Sequence, residues 1–364
     1  MLKVKKRRGI RRTIIITCVV LGVLLLLYLI GGYFIVKQML DDSLVKLERG
    51  QYYSTYPTYE DFEDALPREK INFLSGKNNL QGFIYGANNE KGLIVVVHGF
   101  GGSSDEYLPQ IRFFVDKGWR VFAYDGTGVY ESEGDSRMSF YQATTDLVAA
   151  LDYINTDVNL AGMPLALFGH SQGGFAVCSS LNYKQAANVD AVISVAGLNV
   201  AGNIVESAAK QQIGSLYFLV KPFLFMLDNV DFGDSYTSVE GINKSTAAVM
   251  LIQGDKDTII LPDEYAITHY KDKITNPNVE FVFCTDEWNN EHNNIIESEA
   301  AWNYAKEIDT AWTEYKAASS ITKATNNDLK EFAQGYGINR LKRHEVNGLL
   351  FERINIFLEN NLLA

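Results

Sequence analysis

Six short runs of apolar residues, separated by longer amphipathic segments, constrain the fold of this chain most strongly. The runs are Leu93–Val97, Val121–Tyr124, Leu165–Phe168, Ala191–Val195, Val249–Ile252 and Val279–Phe283. Each run is continuous rather than alternating, which is typical of parallel strands that are buried on both faces. The intervening segments have the length and pattern of helices, at about 105–117, 139–155, 172–186 and 262–274.

This alternation predicts an α/β fold, with a mostly parallel central sheet that is flanked by helices and connected by right-handed crossovers. Lys70–Leu74 and Leu80–Tyr85 flank a short polar turn and predict an opening hairpin. Two insertions interrupt the alternation: the first covers about 197–246, and the second, about 294–334, reads as one or two helices with a polar linker. A final amphipathic helix is predicted over about 340–361.

A segment without a charged residue, Thr13–Val36, precedes a predicted stalk at 37–68 and the α/β domain at 69–364. As a helix it would be about 36 Å long, which is enough to cross a hydrocarbon core of about 30 Å. The segment ends without a small-residue cleavage site, which favours a retained anchor over a cleaved signal peptide. Because the basic arm at 1–12 is typical of a cytoplasmic flank, we expect a single-pass protein of the cell membrane whose α/β domain is extracytoplasmic.

The basic arm conceals how acidic the rest of the chain is. The net formal charge is −11 at pH 7, and without the seven positive charges of the arm the remaining residues carry −18. This charge argues against nucleic acid as a partner. The three cysteines show neither metal-ligand spacing nor a disulfide framework, so we interpret them as buried apolar residues and expect no metal site.

The segment FGHSQGG at 168–174 contains the pattern G-x-S-x-G directly after a predicted strand. A sharp turn from strand into helix would strain the backbone of Ser171 and expose its hydroxyl at a helix N-terminus. Small residues two positions before and after the serine let the backbone pass. The alternative is an ordinary glycine turn with a solvated serine, but the strand and helix around the motif favour a nucleophile.

A nucleophilic serine needs a base, and the base needs an acid that orients it. His292 is the histidine that lies just beyond the last predicted strand, which favours it as the base. His269 and His344 are interpreted as solvated helix residues, and His170 as a packing residue.

Two carboxylates compete for the role of the acid, because Asp255 and Asp257 both follow the run Val249–Ile252. We favour Asp257, which lies further into the loop, where its side chain can turn back towards the centre of the site. Asp255 is interpreted as a turn former.

An oxyanion hole needs two backbone N–H donors. One should come from the residue after the nucleophile, Gln172. The other should come from the glycine-rich loop after the run Leu93–Val97, where Phe100 would supply it. His98, at the start of that loop, is interpreted as a buried residue that braces it.

These motifs together resemble the α/β-hydrolase superfamily, and within it the serine aminopeptidase-like hydrolases, a group that includes monoacylglycerol lipases and lysophospholipases. The matching segments are VVVHGFGGSSDEY (95–107), FAYDGTGVYESEGDS (122–136), LFGHSQGG (167–174), LIQGDKDTIILP (251–262) and EHNNII (291–296). The resemblance covers about residues 68–300 and the last helix. The second segment resembles the group's signature Y-D-x-x-G-x-G-x-S-x-G, from which Tyr130 departs.

Carried over to these positions, the resemblance implies a triad in the chain order Ser171, Asp257, His292, as nucleophile, acid and base. It also implies Phe100 and Gln172 as oxyanion donors, and a cap at about 197–246. No cofactor is implied.

The expected activity is hydrolysis of a small-molecule or lipid acyl ester through an acyl-enzyme. An apolar stripe in the implied cap would either line an acyl pocket or pack the cap onto the body: Leu216, Tyr217, Phe218, Phe223, Phe225 and Met226. One alternative is a serine aminopeptidase, in which Glu206 or Glu240 would bind the substrate ammonium. The other is a non-catalytic binding protein, which the complete set of triad residues disfavours.

Overall fold

A computed structural model of the chain describes residues 2–50, 55–137, 139–224, 226 and 236–363. The chain divides into two compact units. The first consists of Met1–Leu44 with Val205–Ser235, and the second of Val45–Ile204 with Tyr236–Ala364. Phe225, one residue of the apolar stripe, lies outside the described residues.

Eight strands form a single sheet in the second unit. They are β1 (Arg68–Ser75), β2 (Asn78–Tyr85), β3 (Leu93–Val97), β4 (Arg120–Tyr124), β5 (Leu165–His170), β6 (Ala191–Val195), β7 (Ala248–Gly254) and β8 (Val279–Cys284). Their order across the sheet is β1-β2-β4-β3-β5-β6-β7-β8. The pairs β1–β2 and β2–β4 are antiparallel, and all other neighbours are parallel. The predicted α/β class, hairpin and mostly parallel sheet are confirmed.

The sheet is buried on both faces, as its continuous apolar runs predict. In β3, Ile94 and Val96 point into one hydrophobic cluster, whereas Leu93, Val95 and Val97 point into another. Because successive side chains of a strand point to opposite faces, each cluster fills the space between one face and its helices. The sheet is therefore a rigid platform, and its carboxyl edge is the place where loops can hold a site.

The described α-helices are α1 (Leu2–Ser43), α2 (Leu108–Asp116), α3 (Gln142–Thr156), α4 (Gln172–Ser179), α5 (Gly202–Ile213), α6 (Ser238–Lys244), α7 (Glu299–Ala318), α8 (Asn326–Tyr336), α9 (Arg340–Arg343) and α10 (Gly348–Leu362). The insertion expected at 294–334 contains the long helix α7 and most of α8. Thr325 begins α8 with a capping box, in which its side chain and that of Asp328 bond each other's backbone N–H groups.

Three predicted helices differ from the structure. The segment 262–274 is not an α-helix: it forms turns and the 3₁₀ helix Ile267–Lys273, because the consecutive residues 265–268 are all buried and cannot share one helical face. The helix predicted over 172–186 ends at Ser179 and continues as two 3₁₀ turns. The final helix, predicted as continuous, is broken between Arg343 and Gly348.

In the first unit, α1 contains a segment, Arg11–Met39, that is long and apolar enough to cross a membrane; a signal sequence would pass the same test. The ring of Phe223 packs against this helix between Tyr28 and Val36. Gly32 permits that approach, since a β-carbon there would lie 2.2 Å from the ring. This part of the apolar stripe therefore packs against α1, which neither of the two sequence-based interpretations of the stripe anticipated.

Candidate active site

Ser171 lies at the turn between β5 and α4, in a strained backbone conformation. Its φ is 58° and its ψ is −118°, a region that residues other than glycine rarely adopt. The flanking glycines are required by packing: a β-carbon at Gly169 would lie 2.2 Å from the Gly173 carbonyl oxygen. At Gly173 it would lie 2.1 Å from the carbonyl oxygen of Val97. The motif is thus a tight strand-to-helix turn rather than an ordinary glycine turn.

Asp257 and His292 meet at the same edge of the sheet, on the loops after β7 and β8. Nδ1 of His292 lies 2.8 Å from Oδ2 of Asp257, and both side chains are buried. The other carboxylate oxygen, Oδ1, accepts the backbone N–H groups of Ile259 and Ile260, each at 2.8 Å. Gln253 also donates to Oδ2, at 3.0 Å. Four donors therefore hold the carboxylate, and the proton on Nδ1 leaves Nε2 of His292 free to accept one.

The competing carboxylate, Asp255, is placed differently. Its side chain is exposed, with Lys256 Nζ at 3.9 Å, whereas the carboxylate bonded to His292 is that of Asp257. Its backbone N–H donates to the Cys284 carbonyl across the ends of β7 and β8, which fits the role of a turn former.

Phe100 and Gln172, the two predicted oxyanion donors, have free backbone N–H groups among the described residues. Phe100 follows β3, and Gln172 is the first residue of α4. His98 braces the loop of Phe100: its Nδ1 donates to the Gly99 carbonyl at 2.8 Å, and its Nε2 accepts the Gly126 N–H at 3.0 Å. Burial lowers the pKa of His98, so its ring is neutral.

Sequence reasoning missed a hydrogen-bond chain that joins the loop after β3, which carries Gly99 and Phe100, to His292. The N–H of Gly99 donates to the hydroxyl of Tyr107 at 3.1 Å, and that hydroxyl donates to Nδ1 of His170 at 3.0 Å. Nε2 of His170 then donates to the carbonyl of His292 at 3.0 Å. Burial, with the neighbouring His292, lowers the pKa of His170 to about 3. His170 is therefore a neutral positioning residue, and only its place inside the motif could have drawn attention to it.

A cavity of about 490 Å³ opens onto these residues. Ser171, His292 and Phe100 line it, together with Glu106 and His344. His344 was predicted to be a solvated helix residue, and this prediction is wrong. The side chain is buried at the break between α9 and α10, where Nδ1 donates to Glu297 at 2.6 Å.

Comparisons with known proteins agree with this fold. The family model described as serine aminopeptidase, S33, matches residues 88–222. The monoglyceride lipase of Homo sapiens is 35% identical over 86 residues, which are 23% of this chain and only 28% of the lipase. The esterase of Pyrococcus furiosus has the same fold with a TM-score of 0.51 at 18% identity, covering 80% of this chain and 98% of the esterase. This chain belongs to the α/β-hydrolase superfamily.

Within the superfamily, the chain is similar to esterases and lipases. A further structural relative is the α/β hydrolase GrgF from Penicillium, with a TM-score of 0.51 at 16% identity, covering 82% of this chain and all of GrgF. At this level of identity the solved structures establish the fold of this α/β-hydrolase, and its chemistry has to be argued from its own residues.

The loop after β4 departs from the family signature at Tyr130, where the signature has a glycine. Tyr130 has a φ of 48°, so it adopts the left-handed conformation that a glycine would take without strain. Its backbone N–H donates to the Leu47 carbonyl at 2.8 Å, and its ring stacks on Arg49, 4.2 Å away. Leu47 and Arg49, which belong to the predicted stalk at 37–68, therefore fix the conformation of the loop after β4.

The two glutamates considered for binding an ammonium group have other partners. Glu206 forms an ion pair with Lys210 at 3.2 Å, one turn along α5. Glu240 completes a capping box at the start of α6, where it accepts the backbone N–H of Thr237 at 2.8 Å. Neither lines the cavity in the part of the chain that the structure describes.

Proposed function

We propose that this α/β-hydrolase is a membrane-anchored serine hydrolase that cleaves carboxylic esters through an acyl-enzyme on Ser171. The observation that carries the proposal is the joint placement of a strained serine and a histidine paired with an aspartate. Ser171 and His292 line one cavity, and Asp257 holds Nδ1 of His292 from behind. A structural serine would have no need for a strained backbone that opens into a cavity with a base.

The reaction proposed begins when Oγ of Ser171 forms a bond to the ester carbonyl carbon while its proton passes to Nε2 of His292. The N–H groups of Phe100 and Gln172 bind the oxyanion of the tetrahedral intermediate. The bond between the carbonyl carbon and the leaving oxygen then breaks, and the alcohol departs with the proton from His292. Water repeats the sequence to release the acid and restore Ser171.

Asp257 serves this cycle by orientation and charge. Its carboxylate fixes the proton on Nδ1, so Nε2 can accept the serine proton, and it stabilises the imidazolium that forms. Among the described side chains, the His292 ring does not hydrogen-bond the Ser171 hydroxyl. Catalytic hydrogen bonds often close only in the substrate complex, so we expect this bond to form when a substrate is bound.

Esters are favoured over peptides by two observations. The curated relative named above, 35% identical over the 86 matched residues, is a monoglyceride lipase. In addition, both glutamates that would have served an aminopeptidase, Glu206 and Glu240, are engaged in local contacts. The apolar helix α1 supports an anchor in the cell membrane, with the basic arm in the cytoplasm and the hydrolase unit on the other side.

The test is hydrolysis of p-nitrophenyl esters of increasing acyl length by the full chain in nonionic detergent. We expect turnover by the wild type and a loss of about 10⁴-fold or more in Ser171→Ala. Ser319→Ala removes an exposed hydroxyl at the end of α7 and is the matched control, which should keep full activity. Equal activity of Ser171→Ala and Ser319→Ala would show that Ser171 is not the nucleophile.

A further inference from the structure

The cavity in front of Ser171 has an unbalanced set of charges. Glu48, Glu106 and Glu297 line it, and none of its described lining residues is a lysine or an arginine. Two of the three glutamates have cationic or protonated partners: Glu297 accepts hydrogen bonds from Arg343 and His344, and Lys46 lies 3.8 Å from Glu48. Glu106 is the exception.

The carboxylate of Glu106 has no hydrogen-bond donor or cation as a partner among the described residues. It lies over the loop after β3, where a β-carbon at Gly102 would be 2.5 Å from its Oε2. The preceding residue, Asp105, shows the contrast, because its carboxylate is bound by Arg49 at 2.7 Å and by Arg68 at 3.0 Å. Arg49 and Arg68 are therefore committed to Asp105.

A second group without a hydrogen-bond partner lies four residues further along the chain. Gln110 of α2 is only 2% exposed and also lines the cavity. Its Oε1 is buried without a hydrogen-bond partner, which is costly for an amide oxygen. Glu106 lies in the 3₁₀ turn Ser104–Tyr107 just before α2, and both side chains line the same cavity, so the Glu106 carboxylate and the Gln110 amide can meet one ligand. Both lack a donor.

The raised pKa of the Glu106 carboxyl group is consistent with a site that binds a cation. Burial, together with the neighbouring carboxylates of Asp125 and Asp105, raises the pKa of Glu106 to about 8. A positive charge beside Glu106 would favour its ionised form and would offset both effects. A primary ammonium group supplies that charge together with three N–H donors, of which the carboxylate and the Gln110 oxygen can each accept one.

We propose that Glu106 and Gln110 form a subsite for a primary ammonium group, so that the ester cleaved at Ser171 carries a free amine on its acyl or its alcohol part. This substrate class rests on the proposed function. A neutral lipid ester would leave both acceptors unpaired when it filled the cavity. An ester that carries an amine would donate hydrogen bonds to both acceptors. Because an unpaired buried acceptor is costly, the site should select this ester over the neutral ester of the same shape.

The test compares esters that differ only by an ammonium in place of a methyl group. One pair is aminohexyl butyrate and heptyl butyrate, with the charge on the alcohol. The other is methyl aminohexanoate and methyl heptanoate, with the charge on the acid. For the full chain in nonionic detergent at a pH of about 8.5, where the amine stays protonated, we expect a preference in kcat/KM of about tenfold or more for the amine in one pair. Glu106→Gln should abolish that preference.

Glu90→Gln is the matched control, because it removes one exposed carboxylate from the loop between β2 and β3, at the opposite edge of the sheet. It should keep the ratio of the wild type. Calorimetric binding of hexylamine, compared with hexanol, tests the subsite without turnover. Ester hydrolysis with no amine preference and no hexylamine binding overturns the subsite and leaves the esterase standing. Hexylamine binding that Glu106→Gln abolishes, without hydrolysis of any ester, supports the subsite and overturns the esterase.

Discussion

Replacing the Asp257 carboxylate by an amide should nearly abolish activity while leaving the shape of the site unchanged. In the native loop, Oδ1 accepts two backbone N–H groups, from Ile259 and Ile260, so the amide oxygen of Asp257→Asn must take this position. The amide NH₂ then replaces Oδ2, where the native carboxylate accepts donors from Gln253 at 3.0 Å and from His292 at 2.8 Å. The new NH₂ group, a hydrogen-bond donor, would therefore face the donors of Gln253 and His292.

His292 can avoid this conflict only by changing its tautomer. Its Nδ1 would accept a hydrogen bond from the new amide, and the ring proton would move to Nε2, which could then no longer take the proton of Ser171. A triad that loses the correct tautomer loses about 10⁴-fold in kcat, which corresponds to about 5 kcal/mol of transition-state stabilisation. We expect a loss of this size for Asp257→Asn.

The assay is kcat for a p-nitrophenyl ester, with thermal unfolding recorded for each variant to show that it is folded. Asp255→Asn makes the same chemical change two residues earlier, at an exposed carboxylate, and should keep kcat within about twofold of the wild type. The reasoning is refuted if folded Asp257→Asn keeps a tenth or more of the wild-type kcat, or if Asp255→Asn loses as much as Asp257→Asn does.

Three further predictions concern packing, positioning and pH. Gly169→Ala should cost about 3 kcal/mol or more, because its β-carbon would meet a carbonyl oxygen, whereas Gly335→Ala in the last turn of α8 meets nothing and should stabilise by about 0.5–1 kcal/mol. Thermal unfolding of the two variants tests this pair, and similar shifts would contradict it. Tyr107→Phe leaves the Gly99 N–H and His170 Nδ1 without their hydrogen-bond partner. It should lower kcat about tenfold and reduce the free energy of unfolding by about 1–3 kcal/mol. An unchanged kcat would show that Tyr107 does not position the site. The pKa of Glu106 is raised from 4.5 to about 8 on folding, so the folded protein holds this proton more tightly and loses stability as the pH rises through that interval. Glu106→Gln should therefore gain about 1–2 kcal/mol over the wild type at pH of about 9 and almost nothing at pH of about 4, and a gain that is independent of pH in thermal unfolding would argue against this titration.

The strands and their loops could be predicted from the sequence because their determinants are local. Continuous apolar runs define buried parallel strands, and in a parallel sheet the carboxyl ends of the strands share one edge. The loops that carry Ser171, Asp257 and His292 therefore had to meet there. The choice of Asp257 over Asp255 was also local, since only the residue further into the loop can turn back towards the base.

The departures from prediction depend on partners far away in the sequence. The break before α10 is explained by Glu297, which binds His344 across 47 residues and draws it into the interior. A local signal did exist, because Asn347 caps α10 by accepting the Leu350 N–H, and asparagine is a preferred N-cap residue. The role proposed for Glu106 was hidden for the same reason, since it depends on which side chains of the fold come to face it.

Trapping of the acyl-enzyme tests the central claim most directly. The full chain is mixed briefly with a p-nitrophenyl ester, quenched in acid, digested and analysed by mass spectrometry. The account predicts one acyl group on the peptide that contains Ser171, formed at the rate of p-nitrophenol release and absent in Ser171→Ala. Turnover of the ester with the acyl group on another residue, or turnover that survives in Ser171→Ala, would contradict it.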